Sequence, residues 1–219
     1  MKLGPVAVGT VLVALALSGC GGSSTSSRRT TTTERTASSG PGSAAVTPPP
    51  GTPAALRGPH GGVLLAGDLK GFVPQGYRAP SASVESWVAE FPPERRASEA
   101  ARLKALGFVA GITEQLGPPQ GGGATGEAIS VVEQFGSAHG ANGEVAAQRK
   151  QALARGDSTF VVPGIPGARG FGSSTSGPPD ANVAFPAGAY YYLVGFSSSA
   201  AKRSQLITAA QRLYRRVHG

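Results

Sequence analysis

The sequence predicts an α+β domain, an antiparallel sheet of about four to six strands with helices packed on it, and three observations lead there. In residues 199–218, Leu206, Ala210, Leu213, Tyr214 and Val217 recur at helical spacing, with Lys202, Arg203, Arg212, Arg215 and Arg216 on the other side. Just before them, NVAFPAGAYYYLVGF reads as two strands of branched and aromatic residues joined at Pro186 to Gly188. The third observation is a break in composition near residue 60: large apolar side chains are almost absent between Cys20 and His60 and frequent after Val63. About 155 residues remain after the break, the size of one ordinary domain.

The other elements follow in chain order. Val84, Trp87, Val88 and Phe91 form one helical stripe that Pro92 and Pro93 stop. Its place in an apolar stripe assigns Trp87, the single tryptophan, to the core. A second helix is predicted over Glu94 to Leu106, with Ala97, Ala100, Leu103 and Leu106 in line and Gly107 as its C-cap. Then come a strand in GFVAGITEQL, the Gly/Pro-rich connection GPPQGGGATG, a strand in EAISVVEQF and a helix through GANGEVAAQRKQALA. The final helix has Ser197, Ser198 and Ser199 as N-cap candidates, and Arg215 and Arg216 sit where the helix dipole is negative. A strand ending in Phe and Ser, followed by an Ala-rich helix, thus occurs twice and suggests an internal pseudo-repeat.

The N-terminus has its own grammar. Lys2 precedes an apolar run from Val6 to Leu17, then Ser18, Gly19 and Cys20, the single cysteine among 219 residues. The run is too short to cross a hydrocarbon core, which takes about 20 apolar residues, and it has the form of a secretory signal. A lone exported thiol can form no internal disulfide. The residues LSGC resemble the lipobox of bacterial lipoproteins. That resemblance implies a diacylglyceryl group on the Cys20 thiol and cleavage before it, and two long acyl chains hold a protein on a bilayer where one does not. The expected organisation is a signal peptide over 1–19, the lipidated Cys20 with a disordered Ser/Thr/Gly/Pro linker over 20–60, and a single α+β domain over 61–219. Such a linker cannot bury enough surface to offset its ordering entropy, and about forty flexible residues reach roughly 35 Å.

The formal charge of +8 comes from 20 basic and 12 acidic residues. Lys2 leaves with the signal, and Arg28, Arg29, Arg35 and Arg57 stand against Glu34 in the linker, so about half of the excess lies outside the domain. Basic residues near an anchor suit an anionic bilayer. No nucleic-acid module is present, so the expected partners are the membrane, through the anchor on Cys20, and an envelope protein or small ligand.

Catalytic patterns are sparse. With Cys20 consumed by lipid, thiol chemistry and zinc–thiolate sites are excluded. His60, His139 and His218 stand apart, no HExxH or paired-His spacing occurs, and no G-x-S-x-G elbow accompanies His139. No metal or cofactor is expected. GPPQGGGATG lacks the Lys-Ser/Thr of a phosphate-gripping loop. Glu114 and Glu133 fall on adjacent predicted strands, where they either approach as a glycosidase-like pair or line a solvated face, and the solvated face is the simpler expectation. Strand alternation sends Tyr190 and Tyr192 to one face and Tyr191 to the other, so the outer pair is a candidate ligand platform or is half-buried in a sheet packed under helices, and half-burial is the simpler expectation. The neighbouring candidate surface is the loop VPGIPGARGFG with Arg169 near its tip.

In the wording ARLKALGFVAGITEQL, VVPGIPGARGFG and AYYYLVGF the domain resembles uncharacterised lipoproteins of high-GC actinobacteria. Its order of helices and strands is similar to extracytoplasmic sensor-like and PsbP-like lipoprotein domains of that phylum. Neither resemblance implies an activity. The expectation is a lipid-anchored extracytoplasmic lipoprotein of the cell membrane with a non-catalytic binding or envelope-interaction domain. The alternative is an envelope hydrolase acting on wall or lipid.

Overall fold

The structure, a computed structural model, describes residues 62–65, 67–77, 80–119, 126–173, 180–197 and 202–218. All of them fall in one compact unit, Pro49–Gly219. The leader, Cys20, the linker expected over 20–60, and His60 lie outside the described residues.

The elements are β1 (Val73–Tyr77), α1 (Val84–Val88), α2 (Pro93–Leu106), β2 (Phe108–Gly117), β3 (Glu127–Phe135), α3 (Ala138–Ala154), β4 (Ser158–Phe160), β5 (Arg169–Gly172), β6 (Asp180–Ala187), β7 (Tyr190–Ser197) and α4 (Arg203–His218). The strands form one sheet in the order β1-β2-β3-β7-β6-β5-β4, every neighbouring pair antiparallel. The fold is α+β, as the sequence predicts, with seven strands in place of four to six. Four strands match the predicted segments: β2, β3, β6 and β7, the middle of the sheet. The additional three are outer strands with weak signatures. The β1 segment VPQGY carries Pro and Gly, and its register slips between Pro74 and Gly76; β4 has three residues; β5 is half glycine.

The helices begin and end for local reasons. At α1, Ser83 is the N-cap and its side chain accepts from the Ser86 N–H; the helix closes at Val88, short of the Phe91 end of the predicted stripe. Pro93 opens α2, where its missing N–H costs nothing. Gly107 ends it in the left-handed conformation, φ 76°, with its N–H turned back to the Leu103 and Lys104 carbonyls. Ser137 caps α3. There Gly140 is forced by packing, because a methyl group at that position would run into the Leu106 carbonyl oxygen. Of the serines offered as caps for the last helix, Ser197 ends β7, and Ser198 and Ser199 lie outside the described residues.

The sheet is covered on both faces. On one, α4 and the segment from Val63 to Phe72 pack over Ala110, Ile112, Ala128, Val132, Val183, Phe185, Tyr192, Val194 and Phe196. On the other, α1, α2 and α3 pack over Phe135, Phe171, Ala184, Tyr191 and Leu193. Even-numbered residues of β7 therefore face α4, and odd ones face the three-helix layer. This is why YYYLVGF is apolar without alternation: a strand buried on both sides needs apolar groups on both sides. The two hairpin–helix units consequently differ. A rotation exchanging antiparallel β3 and β7 about the sheet normal would leave both helices on one face, yet α3 and α4 lie on opposite faces.

Polar contacts from α4 tie the first face shut. Arg216 donates to the Val63 carbonyl at 2.8 Å and to Asp68 Oδ2 at 2.9 Å, Arg212 to the Gly67 carbonyl at 2.9 Å, and Gln211 to the Pro163 carbonyl at 2.8 Å. The aromatic centre beneath is a stack of Phe185 on Tyr192, centroids 5.0 Å apart and planes 13° apart, with Tyr214 edge-on at 5.8 Å.

Burial ranks the three adjacent tyrosines. Tyr192→Ala and Tyr191→Ala are expected to lose about 3 to 5 kcal/mol each in urea unfolding, as deeply buried aromatics do, whereas half-buried Tyr190→Ala loses less than about half of that. Equal, small losses at all three would contradict the two-faced burial.

Candidate functional site

Tyr190 and Tyr192 share a face, as alternation requires, with ring centroids 6.4 Å apart. The face is closed. Tyr192 is 0% exposed, and Tyr190 is half-buried against the same core. Burial raises the pKa of both phenols, and the Tyr190 hydroxyl adds to the rise at Tyr192. The open aromatic platform is therefore corrected to packing against the core, because helices cover both faces of the sheet. Tyr191 is also buried, on the opposite face, and its hydroxyl has no hydrogen-bond partner. Arg169 is exposed at the start of β5, opposite Ala184 in register and so on the three-helix face. The three residues do not converge.

The two acids are separated in the same way. Glu133 pairs with Gly111 and Tyr191 and lies under α1, where the Trp87 indole N–H donates to its Oε1 at 2.7 Å. Glu114 pairs with Ser130, whose hydroxyl accepts from the Leu64 N–H on the α4 face. Each is buried, at 1% exposure for Glu114 and 5% for Glu133, so neither lines a solvated face. Standing on opposite sides of the sheet, they cannot flank one glycosidic bond, and the paired-acid expectation is corrected. Burial pushes Glu133 up to about 7 against the opposing Arg102 charge and the Trp87 hydrogen bond. Burial likewise pushes Glu114 up to about 7, opposed by Arg216 and assisted by Asp68.

Beside Glu133 a charged layer joins α2 to α3. Glu99, 3% exposed, accepts from Arg95 at 2.6 Å, from Arg102 at 2.6 Å and from Gln151 at 3.1 Å; Arg102 also pairs with fully buried Glu144, which accepts from Gln148 at 2.7 Å. Burial raises the Glu99 pKa, but the hydrogen bonds from Arg95 and Arg102 and their charges outweigh it and hold the carboxyl below its usual range. The layer's charges are paired with one another inside it, which is the behaviour of a structural network. The remaining histidines take no part: His139 is exposed in the first turn of α3, and exposed His218 rests on Tyr214 with ring centroids 4.1 Å apart. Among the described residues no three His, Asp or Glu side chains are placed to hold a metal ion, and no helix is long and apolar enough to cross a membrane.

The open concavity lies elsewhere. A hollow of about 480 Å³ is formed by β4, the 161–168 loop and α3, with Phe160, Val162 and Ile165 as apolar lining and Arg149 and Arg169 as its cations. An adjoining hollow of about 220 Å³ shares Arg149, Gly167 and Arg169. No acidic side chain lines either one. Arg169 donates to the neighbouring Ala168 carbonyl at 2.8 Å, and among the described residues neither Arg149 nor Arg169 has an acidic partner. The Arg203 guanidinium stands over the Phe160 ring at 4.4 Å, adding a third cation at the rim. Arg169 was visible in the sequence through its Gly/Pro-rich loop. Arg149 was not, because a basic residue on a helix reads as a solvated face until the loop is folded against it.

No family model matches the chain, and no curated protein sequence matches it. Among solved structures, the extracellular domain of PknH from Mycobacterium tuberculosis is similar, at 14% identity and a TM-score of 0.47, over 68% of this chain and 86% of that one. Neither ligand nor activity transfers at that level.

The buried acids set a pH dependence. Glu114 and Glu133 hold protons more tightly folded, at about 7, than their ordinary value of 4.5. Their contribution is fully present below 4.5 and is lost as pH rises through 7. Glu99 runs the other way, with stability present above 4.5 and lost as pH falls through its lowered folded value. Thermal melts should therefore peak near pH 5. Glu114→Gln and Glu133→Gln should each melt higher than wild type at pH 8, by on the order of 3 kcal/mol at most, and match it at pH 5. A wild type that gains stability from pH 5 to pH 8 would contradict the assignment.

Proposed function

We propose that the chain is an extracytoplasmic lipoprotein, anchored to the cell membrane through Cys20, whose α+β domain is a non-catalytic binding module. Its binding surface is the hollow between Arg149 and Arg169, and the group it takes is anionic. The observation that carries this is the pair of guanidinium groups beside an apolar floor with no carboxylate to neutralise them. Planar guanidiniums suit bidentate contact with phosphate or carboxylate, and such charge-assisted bonds are about twice as strong as neutral ones. Support for the anchor is the sequence itself, LSGC after a short apolar run. The hydrolase alternative loses the pair it named, since Glu114 and Glu133 occupy opposite faces.

Two measurements test the proposal. Wild type should fractionate with membranes and carry acyl mass on Cys20, and Cys20→Ala should be released or left unprocessed; a Cys20→Ala protein still membrane-bound at mature size, with no acyl mass on wild type, rules the anchor out. For the hollow, inorganic pyrophosphate titrated into the lipidated chain in detergent should shift the side-chain Nε resonances of Arg149 and Arg169 together and saturably. Arg149→Gln should abolish the response at Arg169, and Arg169→Gln the response at Arg149. Unmoved resonances in wild type would overturn the binding surface.

A further inference from the structure

We infer that the anionic group is the headgroup phosphate of the bilayer that carries the protein, so that the domain lies against the membrane by its β4 edge and the 161–168 loop. This rests on the binding reading above and names its ligand.

The edge has the composition of an interfacial contact. Val161 is 83% exposed, the most open large apolar side chain among the described residues, and Leu153 at 46% is another of the three exposed ones. Arg149 and Leu153 are four residues apart on α3 and so share a face of the helix. Val161 follows Phe160, over which Arg203 stands. The surface thus presents apolar side chains flanked by Arg149, Arg169 and Arg203. The nearby acid Asp157 is already paired with Arg155 at 2.8 Å.

A small soluble anion would use the arginines and leave Val161 and Leu153 in water. A phospholipid surface uses both, because phosphates meet the guanidiniums at the depth where short apolar side chains enter the headgroup region. Charge complementarity points the same way, since each basic residue close to an anionic bilayer adds to binding.

The geometry permits it. Arg203, at the docking edge, and Arg216, which holds the Val63 carbonyl, lie near opposite ends of α4, roughly 20 Å apart at 1.5 Å per residue. A chain of roughly forty residues with the composition found between Cys20 and Gly62 spans about 35 Å when flexible, enough to reach from the anchor to the start of the domain in that pose.

Amide hydrogen exchange on the lipidated chain reconstituted into vesicles tests the inference, because the anchor is present in every arm. On phosphatidylcholine vesicles containing phosphatidylglycerol, amides of residues 158–170 should exchange on the order of tenfold more slowly than on phosphatidylcholine alone. The difference should vanish in Arg149→Gln with Arg169→Gln, while protection in β3 and β7 stays unchanged and reports an intact fold. Equal exchange on the two vesicle types overturns the membrane contact. If inorganic pyrophosphate then slows the same amides, the hollow is a soluble-anion site and the binding reading stands alone. If neither slows them, both fall. A slowing that survives the double substitution also overturns the inference, since the arginines would not be what holds the surface.

Discussion

The pairing of β3 with β7 is the constraint on which the rest of the molecule depends. It joins two hairpins into one sheet whose central strands lie under α4 on one side and under α1, α2 and α3 on the other. Once both faces are covered, the middle residues of those strands are buried or half-buried whichever way they point. Tyr191 and Tyr192 become core, the loop after β4 is left at the periphery, and the buried acids Glu114 and Glu133 must be accommodated without water.

How the acids are accommodated differs by face. Glu133 has the Trp87 indole as donor and Arg102 as a nearby charge, yet its second oxygen and the Tyr191 hydroxyl opposite it remain without hydrogen-bond partners. Glu114 has neither oxygen bonded, only the opposing charge of Arg216. An isolated buried carboxylate is expensive, and both groups answer by holding their protons to about 7. The Glu99–Arg102–Glu144 layer is the contrasting case: its charges are held by one another and by Gln148 and Gln151, so burial there is balanced by hydrogen bonds.

Much of this was legible in the sequence, for identifiable reasons. The segments of β2, β3, β6 and β7, the helix ended by Gly107 and the C-terminal helix all announce themselves by period and punctuation. The outer strands do not: VPQGY, STF and RGFG are short or interrupted by Pro and Gly, and they pair because a neighbour presents its edge. Two-sided coverage was harder still, since Glu114 and Glu133 in strand segments imitate the polar half of an alternating pattern. Of the candidate site, Arg169 was marked by its loop, whereas Arg149 and the exposure of Val161 emerge only when that loop folds against α3.

Separation of the two acids by the sheet is the claim from which the buried core, the failure of a paired-acid site and the peripheral hollow all follow. The Trp87 indole N–H resonance reads it directly, because that proton sits on Glu133 alone. It should titrate with a midpoint near 7, keep that titration in Glu114→Gln and lose it in Glu133→Gln. A midpoint abolished by Glu114→Gln, or an indole proton that does not titrate near neutral pH, would contradict the account.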